Sequence, residues 1–260
     1  METRPQLSII IINYQSANYI QLCLDSFQVA LSSLNHEIII VNNDPTEQDF
    51  SFIAVDKIIS LKRNMGFSFA ANIGARQASG DMLLFLNPDT TFEFGNFTTL
   101  MDHLKNNKPV GIIGLQLTNA FGEKELENYG EKITPLQLIR NNIFPKKNTP
   151  TTVSRAVDWV SGGALLIKKY AFEKLEGFDE HFFMYYEDVD LCFRAKKLGF
   201  SVIFWPAISF HHAAGKSFNN IQEQKKFYYQ SQHYYFQKHF GKLTAFFIDI
   251  LRKLTHHKRY

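Results

Sequence analysis

At 260 residues the chain is long enough to bury a substantial core, as one α/β domain or two joined halves. With 45% hydrophobic and 20% charged residues it has an ordinary globular balance, and a formal charge of +3 is too small to argue for a nucleic-acid partner. No run approaches roughly 18 uncharged apolar residues, so no transmembrane helix is expected. Cys23 and Cys192 lie far apart without metal-ligand spacing, which predicts buried free thiols in a reducing, cytoplasmic setting.

The β-branched runs 7–12 and 37–41 predict strands buried on both faces, as in a parallel sheet. Between them Ile20, Cys23, Leu24 and Phe27 recur at helical spacing, so the chain opens β–α–β like a nucleotide-binding half. Residues 58–61 and 82–86 continue the strands, with a helix predicted over 67–78. In such sheets ligands gather at the carboxyl ends of the strands. That rule singles out Asn13-Tyr14, Asn42-Asn43-Asp44 and Asn87-Pro88-Asp89. Residues 118–156 read as a loop-rich insertion. A second half over 157–217 holds a turn at Gly162-Gly163, strands over 164–167 and 202–205, and a helix starting near Lys169.

The tail from Ile221 to Tyr260 carries 8 Lys and Arg against 2 Asp and Glu. Leu243, Phe246, Phe247, Ile250, Leu251 and Leu254 recur at helical spacing beside Lys242, Arg252 and Lys253. Two readings stay open: a helix packed on the body, or a basic amphipathic helix on the anionic inner face of a membrane.

Three groups can do chemistry. Asp89 follows a buried strand, where a carboxylate can ligate a hard divalent cation; the alternative is a plain Asn-Pro-Asp-Thr turn capping the next helix. Glu187, Asp188 and Asp190 crowd between aromatic residues and a helix start. Apolar walls would raise a carboxylate toward a general base's working range, whereas acids at this place also cap helices. Of the adjacent pair His211-His212, at most one can be a ligand. Asn64-Met65-Gly66 and Asn72-Ile73-Gly74 could bring backbone N–H groups near a phosphate, though without a dinucleotide fingerprint.

Taken in order, these segments resemble glycosyltransferase family 2 with the GT-A fold, in its bacterial rhamnosyltransferase-like branch. The resemblance rests on Ile11-Ile12-Asn13-Tyr14, Asn64-Met65-Gly66-Phe67, Asn72-Ile73-Gly74, Asn87-Pro88-Asp89-Thr90, Trp159-Val160-Ser161-Gly162-Gly163, Gly177-Phe178-Asp179-Glu180 and Tyr186-Glu187-Asp188-Val189-Asp190. It implies an α/β catalytic domain over 1–220, a nucleotide-binding half to about 105 and an acceptor half after it, followed by a helical tail over 221–260. Asp188 is then the base, Glu187 an acceptor contact, and Asp89 with His212 the ligands of Mn²⁺ or Mg²⁺. Asn13, Tyr14, Asn42, Asn64, Gly66, Asn72, Asn87, Trp159 and Gly162 are implied to line the sugar-nucleotide site. Asn42 stands where relatives carry an Asp, and its amide oxygen is expected to accept a pyrimidine N3–H.

The implied reaction is inverting transfer of a sugar, of dTDP-rhamnose or UDP-sugar type, to a glycan or lipid-linked glycan. Processive synthesis is disfavoured by the lack of a Gln-x-x-Arg-Trp motif. The rival readings are a nucleotidyltransferase and a non-catalytic sugar-nucleotide-binding subunit.

Overall fold

The computed structural model describes residues 4–46, 50, 53–143, 149–213 and 221–256. In chain order the elements begin with β1 (Leu7–Asn13), α1 (Ala17–Phe27), β2 (His36–Asn42), β3 (Lys57–Ser60), α2 (Phe67–Gln77) and β4 (Met82–Leu86). Then come β5 (Thr90–Phe94), α3 (Phe97–Asn106), β6 (Val110–Thr118), β7 (Tyr129–Gly130), α4 (Pro135–Ile143), β8 (Arg155–Ala156) and β9 (Trp159–Val160). The last are β10 (Ala164–Lys168), α5 (Lys169–Lys174), α6 (Glu187–Lys197), β11 (Ser201–His212), α7 (Ile221–Phe240) and α8 (Lys242–His256).

The main sheet runs β3-β2-β1-β4-β10-β6-β11-β5, with β8 paired to β11. Its first four strands are parallel, as expected of the β–α–β opening. β10 enters antiparallel between β4 and β6, so the second half of the sheet is mixed. Every residue of β1 is buried because alternate side chains serve two layers. Ile9 and Ile11 pack with α1 and α3, while Ile10 joins the layer of α2, α5 and α6. Gly74 lets α2 sit directly on β1 and β2: a Cβ there would stand 2.5 Å from Ile10.

Several elements escaped the sequence reading. β5, α3 and β6 fill 90–118, and the supposed insertion holds β7, α4 and β8. The last strand was expected to stop at Trp205, before Pro206. β11 instead continues to His212, with a register irregularity between Trp205 and Ser209 that accommodates the proline.

The tail shares a core with the body. Tyr235, Phe236, Ala245 and Ile248 pack with Phe182, Tyr186 and Val189. One face of α8 is therefore docked, while Leu243, Phe246 and Phe247 on another remain 76%, 57% and 60% exposed. Leu254 lies in α8, but its side chain falls outside the described ones. No described helix is long and apolar enough to cross a membrane.

Candidate active site

Asn87 to Thr90 is a turn, closed by Thr90 N–H and Oγ1 donating to the Asn87 carbonyl at 3.3 and 2.7 Å. It leads into β5, so Asp89 caps no helix. β11 pairs His212 with Thr90 and thereby sets its ring against the buried Asp89, with Nε2 3.4 Å from Oδ1. Nε2 is also 3.3 Å from Asn87 Nδ2. Strand alternation turns His211 the other way, so His212 is the member of the pair that reaches Asp89. On the far side of the ring, Nδ1 lies 2.9 Å from Glu125 Oε1. Glu125 went unnoticed in the sequence because nothing in the irregular 118–156 stretch tied it to β11.

Burial opposes charge on His212, but the hydrogen bonds and charges of Asp89 and Glu125 outweigh it and raise its pKa to about 9. A carboxylate oxygen and an imidazole nitrogen converge, a mixed donor pair that suits Mn²⁺ better than the oxygen-preferring Mg²⁺. Among the described residues no three His, Cys, Asp or Glu side chains form a complete metal cage. The pair thus fits a cation that takes its other ligands from phosphate or water.

The second centre lies at the start of α6. Asp188 accepts from Gly162 N–H at 2.9 Å and Val189 N–H at 2.7 Å. It does not cap α6, because it sits inside the first turn behind Tyr186. Burial raises its pKa, with the two N–H groups pulling the other way. Burial and then the charge of Asp188 push Glu187 well above the carboxylate range. Glu187 Oε2 has no hydrogen-bond partner among the described residues. Asp190 turns away from this centre: fully buried, it binds Arg194, Lys238 and His239, each at 2.7 Å.

The turn before these acids is strained and braced. Tyr185 and Tyr186 both have left-handed φ, 68° and 66°. α7 holds them: Gln224 donates to Tyr185 Oη and Gln232 to Tyr186 Oη, both at 2.8 Å, while Ser231 donates to the Met184 carbonyl at 2.7 Å.

The two centres meet on one turn. Gly162 N–H holds Asp188, and the next residue's carbonyl, Gly163 C=O, accepts from Asn87 N–H at 2.9 Å. Side-chain space closes around this link, since a Cβ at Gly163 would stand 3.3 Å from Asn87 Nδ2.

The expected donor-side residues divide. Asn13 and Asn42 meet across β1 and β2, Asn13 Nδ2 donating to Asn42 Oδ1 at 2.7 Å. That oxygen also accepts Asp44 N–H, so both its lone pairs are engaged. The oxygen expected to accept a pyrimidine N3–H is thus held by protein donors in this structure. Asn43, its neighbour at the same strand exit, pins the next loop: its oxygen accepts Met65 N–H, and its amide donates to Asn64 Oδ1 and the Gly66 carbonyl. Tyr14 sits half-buried at the exit of β1.

Two backbone N–H groups of the 64–74 segment are likewise engaged within the protein. Gly66 N–H donates to Asn64 Oδ1 and Phe67 N–H to the Phe183 carbonyl, so neither is free for an anion. Asn72 has both ends of its amide on Phe178 and Glu180, bracing the 177–180 turn. The Trp159 indole donates to the Glu131 carbonyl and packs against Gly130, a structural duty.

Residues 8–176 match the sequence profile of "Glycosyl transferase family 2". The chain belongs to this family. Among curated relatives it is 28% identical over 185 residues to an N-acetylglucosaminyl-diphospho-decaprenol L-rhamnosyltransferase of Mycobacterium tuberculosis, covering 61% of this chain and 59% of that protein. It is also 28% identical over 156 residues to the rhamnosyltransferase WbbL of Escherichia coli, covering 55% and 57%. The family 2 chain thus spans less than two thirds of the length of these relatives. A mannosyltransferase of Pyrobaculum calidifontis, solved with GDP-Man and Mn²⁺, superposes with a TM-score of 0.58 at 16% identity, over 91% of this chain and 64% of that one. GalNAc-T7, solved with UDP, GalNAc and Mn²⁺, gives 0.58 at 14%, over 82% and 44%. The fold is GT-A.

Proposed function

We propose that this chain is an inverting, non-processive glycosyltransferase that moves a sugar from a nucleoside-diphosphate donor to a hydroxyl of a glycan or lipid-linked glycan. The carrying observation is the Gly162-Gly163 turn, which joins the carboxylate suited to be a base with the Asn87–Asp89 turn that faces His212. A base and a diphosphate-holding centre must flank one anomeric carbon, and a shared rigid turn keeps their spacing.

Asp188 takes the proton of the acceptor hydroxyl, whose oxygen attacks the anomeric carbon from the face opposite the diphosphate. Its raised pKa strengthens it as a base, and the two N–H groups orient it. Burial favours the protonated form of Glu187, and in that form it offers its O–H to the acceptor. Asp89 and His212 would hold Mn²⁺ or Mg²⁺, which when bound would supply Lewis-acid stabilisation for a leaving diphosphate. Asn42 keeps its place at the nucleotide end with its amide N–H₂ as the remaining donor.

The names of the curated relatives favour a rhamnosyl donor and, through the decaprenol in one of them, an acceptor carried on lipid; we further propose a donor that is dTDP-rhamnose or of UDP-sugar type, and a place in cell-surface polysaccharide synthesis. A lipid-carried acceptor gives a role to the exposed apolar face of α8, flanked by Lys242 and Lys253, as a contact with anionic membrane at the cytoplasmic side. Cosedimentation with phosphatidylglycerol vesicles tests this, with loss expected for Phe246→Glu combined with Phe247→Glu.

The reaction is tested by a sugar-nucleotide screen with and without Mn²⁺, reading thermal stabilisation and then product by NMR. Expected are release of nucleoside diphosphate and an inverted anomeric centre. Pyrophosphate released from a nucleoside triphosphate, or ligand binding without product, would overturn the reading.

A further inference from the structure

We infer that Glu125 is a positioning residue for the metal centre: it fixes the His212 ring so that Nε2 faces Asp89. The inference rests on the metal role proposed for Asp89 and His212, and adds a residue outside both the strand exits and the acidic helix.

Glu125 is placed by its own local structure. Past the end of β6 the chain reverses through a turn in which Asn119 Oδ1 accepts Phe121 N–H and Glu123 N–H, at 2.9 and 3.0 Å. Gly122 at φ 74° supplies the left-handed step. The returning strand is tied back where Glu125 N–H donates to the Leu117 carbonyl at 2.9 Å. β11 runs beside β6, with His211 opposite Thr118, so the returning Glu125 arrives next to the His212 ring.

The chemistry follows from the two ring nitrogens. An imidazole that ligates a cation must present an unprotonated nitrogen, and the hydrogen bond made by the other nitrogen decides which one that is. With Glu125 Oε1 2.9 Å from Nδ1, the neutral ring keeps its proton on Nδ1 and directs the Nε2 lone pair toward Asp89 Oδ1, 3.4 Å away. Asn87 Nδ2, 3.3 Å from Nε2, is the other polar group there. A carboxylate on the outer nitrogen also makes the ring a better donor; partners of this kind typically change metal affinity roughly 10–100-fold. Glu125 touches neither Asp89 nor Asn87 through any hydrogen bond described, so its influence passes through the ring.

The test measures Mn²⁺ binding rather than turnover: free Mn²⁺ is followed by EPR during titration of the full chain, with and without UDP. Glu125→Ala should weaken Mn²⁺ roughly 10–100-fold, while metal-free UDP binding stays at the wild-type value. Glu125→Gln, whose amide oxygen still accepts from Nδ1–H, should recover most of the loss. In a His212→Ala background Glu125→Ala should have no further effect. Unchanged Mn²⁺ affinity in Glu125→Ala overturns the positioning role, as does an equal loss in the His212→Ala background. A Glu125→Gln variant as weak as Glu125→Ala also overturns it, assigning the effect to lost charge. If wild type itself binds no Mn²⁺ in either condition, the metal reading of Asp89 and His212 fails first.

Discussion

The two faces of the candidate site handle polar groups in opposite ways. At the exits of β1 and β2, Asn13, Asn42, Asn43 and Asn64 satisfy one another and the loops around them, so this face is a closed network. At the start of α6, Glu187 keeps an unpartnered buried oxygen, Asp188 has a raised pKa, and two tyrosines stand in left-handed backbone. The first arrangement shapes a cradle that does not have to change; the second keeps charge and strain that a substrate can relieve. Reactivity is therefore expected where the fold leaves polar groups unsatisfied, and recognition where it satisfies them.

The sharpest way to break this contrast is Asp188→Asn. Turnover should fall roughly 10²–10⁴-fold while donor affinity by calorimetry stays near wild type; wild-type turnover would remove the base assignment. Next in size, Asp89→Ala should lower kcat/KM on the order of 10²-fold, as expected when several kcal/mol of leaving-group stabilisation are lost. The same variant should abolish the response to added Mn²⁺. On the closed face, Asn43→Ala removes an amide bonded to Met65, Asn64 and Gly66. It should cost about 1–3 kcal/mol in denaturant unfolding and raise the donor KM more than it lowers kcat.

The smallest effect is a gain. Glu187 has an ordinary value of 4.5 and a much higher one in the fold. Below its unfolded pKa both states are protonated and nothing is lost. As pH rises, the unfolded chain ionises first, so stability falls until the folded pKa is passed. Glu187→Gln should thus melt at the wild-type temperature near pH 4 and a few degrees higher near pH 8, on the order of the 0.5–2 kcal/mol typical of such relief. Equal melting at both pH values would show that the buried acid carries no penalty.

Much of the parallel N-terminal part of the sheet was legible because its signals are local. β-branched runs and helical spacing mark β1, β2, α2 and β4 nearly to the residue and the presence of α1, and the strand-exit rule led to Asp89. What escaped depends on distant partners. β6 carries Gly111 and Gly114 inside a fully buried strand, and Gly114 lies against Val160 from a separate element. Asn72 and Trp159 look the same in sequence whether they meet a ligand or a backbone carbonyl; only the structure shows Phe178 and Glu131 in contact with them. Glu125 needed both a chain reversal and the β6–β11 pairing before it could be connected to His212.

The grip of α7 on Met184, Tyr185 and Tyr186 bears on how this chain can be cut or recombined. The matched family segment ends at residue 176, yet Asp188, His212 and the helix that braces the acids all lie beyond it. On the proposed roles, a fragment ending there is expected to keep the β1–β2 exit network and to lose transfer activity. A chimera that exchanges C-terminal helices with a relative would have to carry Gln224, Ser231 and Gln232 together with the tyrosines they hold. The residues proposed to carry out transfer thus extend beyond the segment that the family profile matches.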